Sequence, residues 1–267
     1  MAEENPKQQP QQRVISLQSI SQEFLGALQR NYDMLAFNLA ATGNVTAEQY
    51  EQVGALTHAM PVHQIHASFE NIKNFAHGLI LRQTLNDALA ITAACMDQCH
   101  LLCNLIKNKP AAEKDPQAVH QTIGKEQDAF ARSPLTEKFE LFEKRYGITN
   151  SLEDAVVSLG IGFGTLLRHK GVVSAEDVDE NGELVFEFKT VQISAPAKEG
   201  ESPEARLVDT RRPFKVGDQI DLSNSEMLSI YVTLTDFFHR LFKAVDEYGM
   251  KMIAEQKKND NPSPSDQ

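Results

Sequence analysis

The sequence predicts a mainly α fold: a multi-helix bundle with a small antiparallel β hairpin or meander inserted before a long last helix. Three observations carry this expectation. Apolar residues recur at helical spacing over most of the chain. Cap signatures punctuate that pattern at several points. Only about residues 171–222 change character, toward β-branched and aromatic residues around turn signals.

The elements follow in order. A first helix is expected from Val14 to Ala41, with Gly43–Asn44 as a stop. Thr46 with Gln49 is a capping-box pattern for a second helix, which Pro61 ends. Val62–Leu81 and Thr84–Lys107 read as a third and a fourth helix. Asp115 before Pro116 places a cap ahead of a proline in the first turn, and Ser133–Pro134 repeats the device. A helix from about Ser151 to Lys170 opens on the pair Ser151 and Asp154. Then "GVVSAEDV", the "DENG" turn and "ELVFEFKTVQI" predict a hairpin, and "ARLVDTRRPFKVGDQIDL" adds one or two short strands. Ser223 with Glu226 caps the last helix, whose stripe Met227, Ile230, Leu234, Phe237, Leu241, Val245, Tyr248 and Met252 persists for several turns.

Composition narrows the function classes. A net charge of -11 disfavours a general binder of nucleic acid or anionic membrane, because phosphates meet a repulsive mean field. The opening residues hold no apolar core of a secretory signal. The longest nearly uncharged apolar run, Ala155 to Leu167, is about half of a bilayer span. A cytoplasmic chain with no membrane partner is expected. Residues 1–13 and 258–267 have the composition of disordered tails, which leaves 14–257 as the helical domain. Linker composition recurs at 108–117, a point of subdivision, and at 194–206.

Four groups of residues carry candidate chemistry. Cys95, Cys99 and Cys103 are four apart on one helix side, which they share with Leu85, Leu89, Thr92 and Ile106. On that stripe cysteine acts as a small hydrophobe, and no second pair completes a four-sulfur zinc site. His63, His66, Glu70 and His77 share a narrow arc opposite an apolar stripe. Such a set suits a transition metal, with Asp97–His100 or Asp236–His239 completing it, but a face opposite an apolar stripe is ordinarily solvated. The expectation is therefore no cofactor. Arg206, Arg211, Arg212 and Lys215 gather around Asp209, where they could contact phosphate or an acidic partner. Charge balance against the acidic loop "KEGESPE" is the preferred reading.

The fourth group is "GIGFG", residues 160–164. A dinucleotide loop follows a strand and spaces its glycines differently, so the phosphate-loop reading fails. Gly160 and Gly164 instead share a helix face, the small-residue arrangement that admits another backbone. With Phe163 they form a candidate packing or dimer face, and apolar neighbours on every side predict a central helix.

The residues after the glycines carry a family resemblance. A buried helix, then "RHKGVV", a hairpin, "KVGDQIDL" and a long last helix resemble bacterial HEPN-like proteins over about residues 134–250. That family typically carries Arg-Asn-x-x-x-His on the helix, then a short exit ending in Gly-[Ile/Val]-[Val/Ala]. Aligning Gly171, Val172 and Val173 with the exit puts Phe163 and Gly164 where the family's Arg and Asn stand. Arg168 then falls at its His, and His169 one place late. No Arg in the chain has a His four to six residues on, the spacing the resemblance implies for ribonuclease chemistry. The resemblance therefore implies a non-catalytic, self-associating interaction or regulatory protein, bound to itself or to another protein. A ribonuclease or RNA-binding role through Arg168 and His169 is the alternative, and a metal-binding bundle through the histidine face is the third.

Overall fold

The structure is a computed structural model that describes residues 15–54, 68–194 and 204–260. Its elements run α1 (Leu17–Asn44), α2 (Ala47–Gly54), α3 (Phe69–Ala112), α4 (Pro116–Arg132), α5 (Leu135–Tyr146), α6 (Glu153–Arg168), β1 (Glu183–Ser194), β2 (Glu204–Lys215) and α7 (Asn224–Asp260). The class is the expected one: helices with one antiparallel hairpin placed just before the last of them.

Several caps form as the sequence predicts. Thr46 and Gln49 exchange side-chain and backbone hydrogen bonds at 3.0 and 3.2 Å. The Asp115 carboxylate accepts from Ala118 N, with Pro116 in the first turn of α4. Ser223 and Glu226 close a reciprocal box at the start of α7. Pro61 lies outside the described residues.

Other boundaries move. Where two helices were expected on either side of residues 82–83, α3 runs unbroken. Neither Gly nor Pro interrupts "LRQT", and Thr84 caps nothing. Its buried hydroxyl donates back to Ile80 O at 2.8 Å, a bond available only inside a continuous helix. Residues 62–67 of the expected third helix lie outside the described residues. Ser133 does not cap α5 either: its hydroxyl turns back to Ala129 O, and Pro134 takes the cap position without a side-chain bond. At α6 the cap position falls at Leu152, with no side-chain cap bond, so the expected Ser151 cap does not form. Asn150 N donates to Glu153 and its side-chain oxygen accepts from Leu152 N, while Ser151 Oγ accepts from Arg240.

The hairpin also differs from expectation. "GVVSAEDV" is not a strand and contributes only the bridge Val172↔Gln219. The "DENG" turn leads into β1, which pairs with β2 from Glu183↔Lys215 to Ser194↔Glu204. The physical reason is alternation. Leu184, Phe186 and Phe188 bury one face of β1 with Phe214 opposite, a pattern that "SAEDV" lacks. Pro213 is tolerated because β2 has an open outer edge.

The centre of the molecule is α3, which contacts α1, α4, α5, α6 and α7. By length and composition it could cross a membrane, a stretch longer than the Ala155–Leu167 run. One side of it, from Leu81 through Leu85, Ala88, Cys95 and Met96 to Cys103, is buried against its neighbours, as a core helix requires. The helix α6 is less central than its composition suggests. It packs on β1 and α3 through Val156, Leu159, Gly162 and Leu166, while Ile161 and Leu167 stay 39% and 60% exposed. The α7 stripe is buried from Met227 to Val245 and half-buried at Tyr248 and Met252.

Candidate functional site

The end of α6 organises the strongest cluster of polar side chains. His169 N and Gly171 N both bond to Thr165 O, which tightens the last turn and directs the chain toward residues 174–177. There Ser174 N and Oγ donate to Asp177 Oδ2 at 3.0 and 2.8 Å and close a small turn. The opposite oxygen of Asp177 accepts from Arg168 Nη2 at 3.0 Å. Glu176 Oε1 stands 2.8 Å from His169 Nε2 and 3.7 Å from Arg168 Nε. The two basic residues of the sequence motif are thus paired with two carboxylates of the following turn.

Electrostatics reinforce this pairing. The Asp177 side chain is fully buried. Burial alone would raise its pKa, but hydrogen bonds from Ser174, Thr165 and Arg168 outweigh burial and hold the carboxyl below its ordinary value. The Asp177 carboxylate, bonded to Arg168, competes with a phosphate for the guanidinium. His169, Glu176 and Asp177 also place one ligand atom each within 4.8 Å of one another. Arg168 and Ser174 already bond to the two Asp177 oxygens.

The glycines divide their roles differently from the sequence expectation. The close approach falls at Gly162, which is buried and where an added Cβ would overlap the Phe186 ring. Gly160 has only Leu89 Cδ2 nearby, 3.9 Å from an added Cβ. At Gly164 the neighbour is Arg168, whose Nη1 would lie 2.8 Å from an added Cβ. Gly164 therefore leaves room for the arginine to fold back along α6 toward Asp177. Phe163 is half-buried and packs on the core. No backbone of the described chain meets the Gly160–Gly164 face.

The remaining candidates are spread over the molecule. On β2, strand alternation puts Arg206 and Arg212 on one face with Phe214, and Arg211 and Lys215 on the other. Arg211 pairs with Glu187 at 3.3 Å, and Arg212 with Glu226 at 3.8 Å. Most of the acidic loop expected to balance them lies outside the described residues, as do His63 and His66. Of the histidine face, Glu70 is exposed, and His77 Nδ1 lies 3.6 Å from Asp221. His100 is sealed in the core, Asp97 pairs with Lys138, and Asp236 pairs with Arg240 beside an exposed His239. The three cysteines are buried free thiols. Burial, with hydrogen bonding and charge from Cys99, pushes the Cys95 thiol up, and burial, with charge from Cys99, does the same at Cys103.

Sequence reasoning missed Glu176 and Asp177, although Asp177 stands only nine residues beyond Arg168 and opposite charges so close in sequence are a usable signal. It also missed Lys138 and Gln127, whose partners lie 41 and 30 residues away. No family model, curated protein or solved structure matches the chain.

Proposed function

We propose that this chain is a non-catalytic interaction or regulatory protein of the cytoplasm, HEPN-like in its last helices but degenerate, and that it associates with a second copy of itself. The observation that carries the reading is the pairing of Arg168 and His169 with Asp177 and Glu176. A ribonuclease needs a cation free to hold a phosphate. Here the Arg168 guanidinium is bonded to Asp177 of the same chain, and His169 Nε2 meets Glu176. The rest of the face supports association rather than catalysis, because Ile161 and Leu167 present apolar surface beside Gly160 and Gly164.

The test is incubation of purified protein with end-labelled single-stranded RNA of mixed sequence. Intact RNA is expected, with the same result for Arg168→Ala and His169→Ala. Cleavage that disappears in either variant would replace this reading with the ribonuclease one.

A further inference from the structure

On the buried side of α3, His100 and Asn104 are neighbours one helical turn apart, 0% and 1% exposed. Each side chain has two polar atoms, of which one is bonded. His100 Nδ1 lies 2.9 Å from Gln127 Oε1, and Asn104 Oδ1 accepts from the Tyr146 hydroxyl at 2.9 Å. The other two, His100 Nε2 and Asn104 Nδ2, are buried with no hydrogen-bond partner among the described residues, each other included. Buried polar atoms of native proteins are ordinarily satisfied, so two orphans on one helix face call for a common partner. Aromatic rings close the place off. Tyr146 of α5 lies 5.8 Å from the His100 ring, Phe142 meets it edge-on at 6.4 Å, and Phe130 of α4 stacks on it at 3.9 Å.

The bonds already made decide what the two free atoms can do. Gln127 Nε2 donates to Asp97 O, so Gln127 Oε1 faces His100 and takes the Nδ1 hydrogen. In the neutral imidazole this leaves Nε2 as a bare lone pair, an acceptor. Burial lowers the His100 pKa and favours that neutral form. Asn104 gives its oxygen to Tyr146 and keeps its Nδ2 hydrogens, a donor. A common partner must therefore donate to one atom and accept from the other. A cation would face the amide hydrogens and an anion the imidazole lone pair, whereas an uncharged hydroxyl meets both demands.

We infer that one water molecule is a fixed member of this core, accepting from Asn104 Nδ2 and donating to His100 Nε2. Buried waters take about three polar partners, and the Tyr146 oxygen, whose hydrogen goes to Asn104, is the third. Two unsatisfied buried groups cost more than the entropy of holding one water. The hydrogen-bond chain then runs from Asp97 O through Gln127, His100, the water and Asn104 to Tyr146, and joins α3, α4 and α5. This inference does not depend on self-association and uses no residue of the α6 face.

Two NMR measurements on the full chain test it. With histidine isotope-labelled at nitrogen and the protein at neutral pH, His100 Nε2 is expected to carry no hydrogen and to resonate upfield of a free lone pair, as an acceptor does. Relaxation dispersion of the water signal counts waters held in the interior. The double variant Asn104→Leu and Tyr146→Phe, which leaves His100 Nε2 without a second polar group to share a water, is expected to hold one fewer than wild type. A hydrogen on Nε2, a free lone pair there, or an equal number of waters in the folded variant would overturn the proposal. Should the variant not fold, cross-relaxation between the Asn104 Nδ2 hydrogens and water in the wild type decides instead. A cross-peak is expected, and a spectrum without one would overturn the proposal as well.

Discussion

Two glycines two residues apart on α6 face opposite consequences. An alanine at Gly162 would drive its methyl into the Phe186 ring, which is itself fully buried beneath Phe188 and Phe214. Gly162→Ala is expected to lose about 2 kcal/mol, since overpacking outweighs the gain in helix propensity. Gly160→Ala meets only ordinary contact and should gain about 0.5–1 kcal/mol. Urea denaturation of both variants checks the contrast, and equal effects would refute this account of the α6 face. His100 makes a second residue-scale statement. Its ring stacks on Phe130 at 3.9 Å, and Nδ1 lies 2.9 Å from Gln127 Oε1. Because Gln127 Nε2 donates to Asp97 O, the Gln127 oxygen faces His100 and accepts from Nδ1–H. Burial, together with the Arg145 charge, lowers its pKa against the raising effects of Gln127, Glu126 and Asp97. The unfolded chain therefore binds the proton more readily. The stability contributed by neutral His100 is complete above about pH 6.5 and is lost as pH falls through the lower folded value. Unfolding free energy should fall between pH 7 and pH 5, and His100→Gln should flatten that slope.

The elements show what the sequence makes legible. Helices whose caps are local pairs, such as Thr46 with Gln49, Asp115 with Ala118 and Ser223 with Glu226, start where those pairs place them. The errors arise where a polar residue has two ways to be satisfied. Thr84 and Ser133 both turn their hydroxyls back to a carbonyl four residues earlier, and such a residue looks identical in sequence to a cap. The hairpin partner of β1 was misplaced for a related reason. A turn signal at 179–182 says only that the chain bends, whereas pairing is decided by which strand can complete the buried aromatic face, and Phe214 does so. The site was legible in part. Arg168 and His169 stand out in sequence, but the carboxylates that occupy them become visible only once the exit of α6 folds the chain back at Ser174. The continuity of α3 has its own check. Amide hydrogen exchange across residues 80–88 should be as slow as in the flanking turns, because every one of those N–H groups lies within an unbroken helix. Fast exchange confined to residues 82–86 would mean two helices.

At the scale of the whole molecule, α3 is the shared core element, and α6 leaves Ile161 and Leu167 exposed on its far side. The exposed Ile161 and Leu167 lie beside the ion-paired end of the helix, so apolar surface and neutralised charge occur together. This combination suits a face that excludes water against a second copy, and the charge pairs lower the cost of bringing it there. The central claim is therefore association through α6. Sedimentation equilibrium of the full chain tests it most directly, comparing wild type with the double variant Ile161→Glu and Leu167→Glu, whose folding is verified by circular dichroism. The account predicts twice the 29.8 kDa chain mass for wild type and a single chain mass for the variant. A monomeric wild type, or a folded variant that remains dimeric, would contradict it.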